Sequence, residues 1–395
     1  VPRDERSGQV DPATVAFLFL GEPQHVFHTA PVACVLARVA PHLQPLFVVT
    51  DPALVPLLRE VEAVYGVIEP LPVMVLEPPI WARLLGALIH RRRSYKALTL
   101  KRHWRALDAM TAIVAAERTS TALRAYGVAR PRLIHIPHGA GDGQQGFDPR
   151  IALFDLTIVA GRKDARRMLD EGLIRPGHYA ISGYIKRDLL QRRAGLGHAL
   201  FDNARPTVLY NAHSNCELSS WHRHAREIIA IFAAQDRFNL VVAPHVKLFV
   251  DASRRERARW QRLEVPGKIL IDLGSRRSID ATYTSACDLY LGDVSSQIYE
   301  FVLQPRPCVF LDSHGVCWRD DPNYAHWRMG EVVAAPEAVI PALTRASEVF
   351  AQYRDVQVQA VAAALGPDAN QAPQRAAAAI AGFLRDGRLP EPCDP

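Results

Sequence analysis

Short apolar runs that stop at glycine, proline or aspartate recur along the chain, each followed by a stretch with apolar residues at helical spacing. Val15 to Leu20 ends at Gly21 and precedes Val32, Val35, Leu36 and Val39; Leu46 to Thr50 ends at Asp51-Pro52 and precedes Leu54, Leu57, Leu58 and Val61. Unbroken apolar runs of this length predict strands buried on both faces, and the following spacing predicts amphipathic helices. The same reading predicts strands at Val73 to Leu76, Leu133 to Ile136, Leu156 to Ala160 and Tyr179 to Ser182. After Gly183 a polar stretch to Pro206 separates a second series, with strands at Thr207 to Asn211, Leu240 to Ala243, Ile269 to Asp272, Leu289 to Gly292 and Cys308 to Asp312. Helices are expected at Ser219 to Ala234, Ile279 to Ala286, Gln297 to Leu303, Pro341 to Phe350 with proline first, and Gln374 to Arg385.

Alternating strand and helix predicts an α/β protein with two doubly wound Rossmann-like domains facing a cleft. The boundaries are 1–185 for the first domain and 186–365 for the second, with 366–395 a terminal helix crossing back to the first. No internal repeat is visible. At 49% hydrophobic and 22% charged residues the chain is an ordinary packed protein, which excludes disordered and fibrous classes.

A net charge of +6 and a pI near 9.1 favour anionic partners. All but six of the 47 basic residues are arginines, which together with abundant alanine points to genome base composition rather than a selected surface. One basic run stands apart. Arg91, Arg92, Arg93, Lys96, Lys101, Arg102 and Arg105 follow an apolar segment, 80–89, with no acidic residue among them. The region 80–105 reads either as a packed helix with a solvated loop or as a helix with a basic end lying on an anionic membrane surface. A nucleic-acid partner is set aside, because the run interleaves only Tyr95 and Trp104 with its charges.

Cys34, Cys216, Cys287, Cys308, Cys317 and Cys393 form no C-x-x-C pair, so a reducing cytoplasm fits best. Apolar stretches fall short of the roughly 18 to 20 residues that cross a bilayer. Val1 to Gln9 is charged and polar, giving no support to a signal peptide. The expected location is cytoplasmic, with peripheral attachment to the inner face of the membrane as the alternative.

Three strand ends concentrate chemistry. Between Ala286 and Phe301 a strand stops at Gly292 and a helix begins, so Asp293, Ser295 and Ser296 either cradle a phosphate or simply cap the helix. Asn239 to Lys247 delivers His245 and Lys247 at a strand's carboxyl end, to act on phosphate or, for the histidine, to serve structure. Arg132 to Gly139 ends in Pro137-His138-Gly139 beside Gly141 and Gly143, which permit close backbone approach. His138 is the candidate general base; its alternative is a loop histidine. His135 reads as core. His213, Ser214 and Asn215 either line the nucleotide pocket or form a turn capping the helix near Ser219. His25 and His28 follow the first strand and either touch an acceptor or sit on a surface loop. Asp320, Asp321 and His326 lack metal spacing, and no metal site is predicted. Cys287 and Cys308 read as core.

These units, with Gly183-Tyr-Ile-Lys-Arg-Asp188 at the junction, resemble the CDP-glycerol glycerophosphotransferase family of teichoic acid and capsule polymerases. The resemblance runs from Arg132 to Asp312, a little under half of the chain, and its most specific part is Asp293-Val-Ser-Ser296. It implies a GT-B fold, with the nucleotide donor on the second domain and a polysaccharide or lipid-linked acceptor over the first. His138 matches the family's base, and His245, Ser295 and Ser296 match residues that hold the donor diphosphate. Helix dipole and side chains can neutralise the leaving nucleotide, so no cofactor is obligatory.

The chain departs from the family at Val294, where tyrosine is common, and at Val246, where proline is. Ala140-Gly-Asp-Gly143 replaces a run with proline and lysine, and Tyr210 to Asn215 stands where an arginine-bearing turn is usual. The donor is therefore CDP-glycerol-like or a nucleotide sugar. Asp293 to Glu300 also resembles the corresponding turn of UDP-N-acetylglucosamine 2-epimerases, but the sequence displays no set of first-domain carboxylates for proton shuttling.

Overall fold

The computed structural model describes residues 13–79, 92–193, 198–366 and 370–390. The first sheet contains β1 (Ala13–Phe19), β2 (Leu43–Val49), β3 (Val73–Val75), β4 (Ala112–Ala115), β5 (Arg132–His135), β6 (Leu156–Val159) and β7 (Tyr179–Ile181), in spatial order β3-β2-β1-β4-β5-β6-β7. The second contains β8 (Thr207–Asn211), β9 (Asn239–Val242), β10 (Ile269–Ile271), β11 (Leu289–Gly292), β12 (Cys308–Leu311) and β13 (Glu331–Val333), in order β10-β9-β8-β11-β12-β13. Neighbouring strands within each sheet run parallel, with Phe17 beside Phe47 and Val114, and Tyr210 beside Val242 and Leu291. The fold is thus the expected pair of doubly wound α/β domains.

The apolar runs form central strands because helices cover both faces. Phe17, Phe19 and Phe47 pack with α1 (Val26–Val39) and α2 (Val55–Val64), while Val208, Tyr210 and Val242 pack with α5 (Trp221–Ala233). α3 (Arg162–Asp170) connects β6 to β7, and α4 (Ile185–Arg192) lies between the two strand series. α4 packs on α1 and α2 of the first domain. α6 (Gln297–Phe301) follows β11. α7 (Ala351–Leu365) ends at Gly366, whose φ of +76° suits glycine. α8 (Ala372–Asp386) returns to the first domain, burying Ala376, Ala377, Ile380 and Phe383 against its core. Full burial of Ile380 and Phe383 contributes about 1.5–3 kcal/mol each.

Elements absent from the sequence-based expectation include β4, β13, α7, the helix Arg254–Gln261 and α4, which falls in the stretch read as a polar separator. β4 is a four-residue Ala-Ile-Val-Ala strand without flanking turn residues, too short for its period to be read. Pro341 is the third residue of the helix Val339–Val349, not the first, because the 3-10 turn Pro336–Ala338 precedes it. Its missing amide hydrogen still has no intrahelical partner to lose. The helix expected at 80–89 lies outside the described residues. Among those described, no helix is long and apolar enough to cross a membrane.

Gly161 starts α3 where α7 crosses it. A Cβ there would lie 2.3 Å from the Ala363 carbonyl oxygen and 2.5 Å from the Ala364 carbonyl carbon, both rigid backbone. Gly161→Ala should therefore cost about 1–3 kcal/mol and lower the melting temperature. A wild-type melting temperature would mean that α7 does not sit on Gly161.

Candidate active site

The strand order reverses between β1 and β4 in the first sheet and between β8 and β11 in the second. Loops leave in opposite directions at such points and open a crevice at the carboxyl ends of the strands. The two crevices face each other across a cavity of about 170 Å³. Of the residues singled out in the sequence, His138, Gly139, His213, Ser214, His245, Lys247, Ser295 and Ser296 all line it. Two do not. Asn215 makes a turn, its backbone N–H donating to His213 Nδ1 and its Oδ1 accepting from Glu217 N–H. Asp293 is 1% exposed and faces inward.

Asp293 acts as an anchor rather than a ligand-facing group. Its Oδ1 accepts from the His213 and Val294 amides at 2.8 Å each, and its Oδ2 from the Ser220 amide at 2.7 Å and hydroxyl at 2.9 Å. Burial pushes its carboxyl up to about 6, against the amides that favour the anion. The loop 213–220, which carries His213 and Ser214 to the cavity, is tied down by this one side chain.

Three histidines of the cavity, His138, His213 and His245, are held neutral. Burial takes His213 down to about 4 and His245 to about 3; it also takes His138 well below its usual range, where His25, His28, Lys247 and Arg118 push further. Nδ1 of His213 accepts from the Asn215 amide, and Nδ1 of His245 from the Lys247 amide. Each neutral ring therefore carries its proton on Nε2 and is a hydrogen-bond donor rather than a cation. Their centroids are 6.0 Å apart. Ser295 Oγ accepts from the Gln297 amide at 3.3 Å and so caps α6. With α6 only five residues long, hydroxyls and amides rather than a helix dipole must meet an anion here. Ser296 packs against the His138 loop: a Cβ on Gly139 would lie 3.3 Å from its Oγ, and one on Gly141 2.8 Å from its Cβ.

Behind His138 stands a group that sequence reading found only in part. His25 is 2% exposed and its ring centroid is 4.4 Å from that of His138. It lies between Glu22, after β1, at 3.5 Å and Glu117, after β4, at 3.3 Å. Ligand atoms of these three residues lie within 4.8 Å of one another, a spacing open to a metal ion. The Lys96 ammonium, however, bridges the two carboxylates at 3.2 and 2.8 Å and already fills the cationic position. Burial raises the Glu22 carboxyl, but His25, Lys247 and Lys96 outweigh it and hold it at about 2. Lys96 thus leaves the basic run and turns into the cleft. Glu117 was invisible in the sequence because β4, which delivers it, was not read.

Remaining sequence candidates are structural. His135 stacks on Phe154 at 4.6 Å, with Nδ1 3.1 Å from the Ala115 carbonyl. His28 is buried against Tyr184. Cys287 and Cys308 are buried core. Glu300 is held across the domain boundary by Lys186 at 2.7 Å and the Tyr184 hydroxyl at 2.6 Å. His326 is 2% exposed and bonded to Asp142 of the first domain.

No protein-family model matches the sequence, and no curated protein matches it. Solved structures do match in fold. A variant of the wall teichoic acid polymerase TagF soaked with CDPG is 14% identical, with a TM-score of 0.62 over 96% of this chain and 90% of that one. S. aureus MnaA in a co-structure with UDP is 14% identical, with a TM-score of 0.63 over 97% and 100%. The UDP-GlcNAc 2-epimerase from Neisseria meningitidis bound to UDP-GlcNAc is 12% identical, with a TM-score of 0.56 over 94% and 99%. The arrangement of the two domains in this chain is the GT-B fold.

The buried neutral histidines carry a pH signature. A ring with folded pKa near 3 and unfolded pKa near 6.5 is protonated first in the unfolded chain, so it withdraws stability as pH falls below about 6.5. For His245 the loss between pH 7 and pH 5 is about 2 kcal/mol. Denaturant unfolding at both values should give a shallower pH dependence in His245→Asn than in wild type; equal slopes would place His245 in solvent.

Proposed function

We propose that this chain is a transferase that moves a glycerophosphate, or a related nucleotide-activated group, from a CDP-linked donor to a hydroxyl of a cell-envelope polysaccharide or lipid-linked acceptor. One observation carries the reading: a neutral histidine of the first domain, His138, faces a set of donors from the second domain, His213, His245, Lys247, Ser295 and Ser296, across a cavity of phosphate size. The likeness in fold to TagF soaked with CDPG supports the same reading.

In this reaction the acceptor hydroxyl gives its proton to His138 as its oxygen forms a bond to the donor phosphorus nearest the glycerol. The bond from that phosphorus to the bridging oxygen breaks, and CMP leaves with the electron pair. The Nε2–H groups of His213 and His245, the Lys247 ammonium and the serine hydroxyls meet the charge on the phosphates. These groups make a metal unnecessary for the step. An anion bound beside His138 raises the proton affinity that burial lowers, so the base gains strength when the donor is in place.

A second reading draws on Glu22 and Glu117. They supply first-domain carboxylates beside His138, the feature an epimerase-like enzyme of the same fold requires, although Lys96 holds both. A nucleotide-sugar glycosyltransferase would use the same cavity. Peripheral membrane attachment through 80–105 is the accompanying proposal for location, without Lys96 taking part.

A thermal-shift series with CMP, CDP, CDP-glycerol, UDP, UDP-sugars and GDP-sugars tests the donor. A cytidine-selective stabilisation, lost in His245→Ala and Ser295→Ala, is expected; uridine or guanosine selectivity turns the reading to the second class, and no response to any nucleotide overturns it. With CDP-glycerol and a hydroxyl acceptor, His138→Ala should lower kcat by about 10²–10⁴ while nucleotide binding persists. Turnover of a nucleotide sugar without acceptor would favour the epimerase-like reading.

A further inference from the structure

A cavity of about 170 Å³ holds a phosphate group, whereas small-molecule sites run to about 300–1,000 Å³. The contacts that join the two domains across the cleft hold the two sides of this cavity together. The densest of these contacts is centred on Asp142, in the Ala140-Gly-Asp-Gly143 segment four residues beyond His138. Asp142 is 4% exposed. From the second domain its carboxylate accepts the Tyr299 hydroxyl at 2.8 and 2.9 Å, the His326 amide at 3.1 Å and His326 Nδ1 at 2.9 Å. From its own domain it accepts Lys163 Nζ at 2.6 Å.

The second nitrogen of His326 decides the chemistry. Nε2 lies 3.1 Å from the Asp293 carbonyl oxygen, which also accepts from Trp327 Nε1 at 2.9 Å. A carbonyl oxygen can only accept. Burial opposes the charge on Asp142, but His326 and Lys163 hold its carboxyl well below the usual carboxylate range, so it too only accepts. Both ring nitrogens thus face acceptors, and satisfying both requires two N–H donors. The other ionisable groups around this ring are Lys163, with Asp164 3.5 Å from it, the Tyr299 phenol, the Asp293 carboxylate and His213. Burial pushes the carboxyls of Asp164 and Asp293 up to about 6.

We infer that Asp142 and the His326 imidazolium are positioning residues that latch the two domains together, so that the His138 loop and the Ser295-Ser296 turn meet only while His326 holds two protons. When one proton leaves, a bare ring nitrogen faces a buried acceptor at the seam with no hydrogen between them, and the state in which the ring and Asp142 reach water gains. The closed form is therefore favoured at low pH and lost at higher pH, where the ring keeps a single proton. The latch reaches both sides of the site: Asp142 is continuous with His138, and Asp293 anchors His213. It also explains the departure at Ala140-Gly-Asp-Gly143, since Gly141 gives Ser296 room and Asp142 supplies the anion.

Small-angle X-ray scattering of the intact chain at pH 6, 7, 8 and 9, without nucleotide, tests the latch. The wild type should be compact at pH 6, near the roughly 21 Å radius of gyration that length scaling gives, and should expand reversibly towards pH 9. His326→Gln should remove the pH dependence, and Asp142→Asn should be expanded already at pH 6, with circular dichroism checking that each variant is folded. A wild-type curve that does not change with pH, or one whose change survives in His326→Gln, overturns the inference. The wild-type series needs no substitution, and no donor enters it, so its outcome is independent of the proposed reaction.

Discussion

Everything at the cleft depends on keeping one buried anion satisfied. Asp142 lies where the first domain's loops touch the second, almost wholly out of water, and a carboxylate in such a place is unstable without charged and hydrogen-bonded partners. Its partners come from two domains: Lys163 from one, Tyr299 and His326 from the other. The carboxylate therefore cannot be satisfied by either domain alone. Tyr299 is followed by Glu300, which the first domain grips through Lys186 and Tyr184. Two consecutive residues of one short helix thus connect to the opposite domain, and the serine turn just before that helix is braced from both.

Burial also sets the electrostatic character of the pocket. It strips the positive charge from His138, His213 and His245, so the positive charge facing the cavity comes from Lys247 and Arg118 and, at its edge, from the His326 latch. Neutral imidazoles suit a site where one ring must take a proton and others must donate hydrogen bonds to a charged ligand. Lys247 is half-exposed and lies 3.6 Å from Glu22 across the cleft, so its charge is shared with the opposite domain. The carboxylates of Glu22 and Glu117 are kept beside His138 without a net negative field, because Lys96 lies between them.

The proposed chemistry belongs to this arrangement rather than to the fold. The same pair of doubly wound domains is found in proteins whose structures carry CDPG, UDP or UDP-GlcNAc, so the reaction must be argued from side chains. The feature particular to this chain is the segment after His138-Gly139. Gly141 lets the Ser296 backbone come close, and Asp142 reaches into the second domain, where the resembling family carries other residues.

The sequence by itself determined the two strand series, the parallel sheets and the strand ends at which chemistry collects, because apolar runs and helical spacing are properties of neighbouring residues. His138, His245, Ser295 and Ser296 were legible as candidates for that reason: each follows a strand whose period could be read. β4 was too short to carry a period, and Glu117 was lost with it. Only the tertiary structure decided which charges meet. Asp142 finds partners 157 and 184 positions away, Lys96 turns from a basic run to join Glu22 and Glu117, and Asp293 anchors a loop instead of facing a ligand. Burial, which sets the protonation of each of these groups, depends on how the two domains close over them and has no local pattern along the chain.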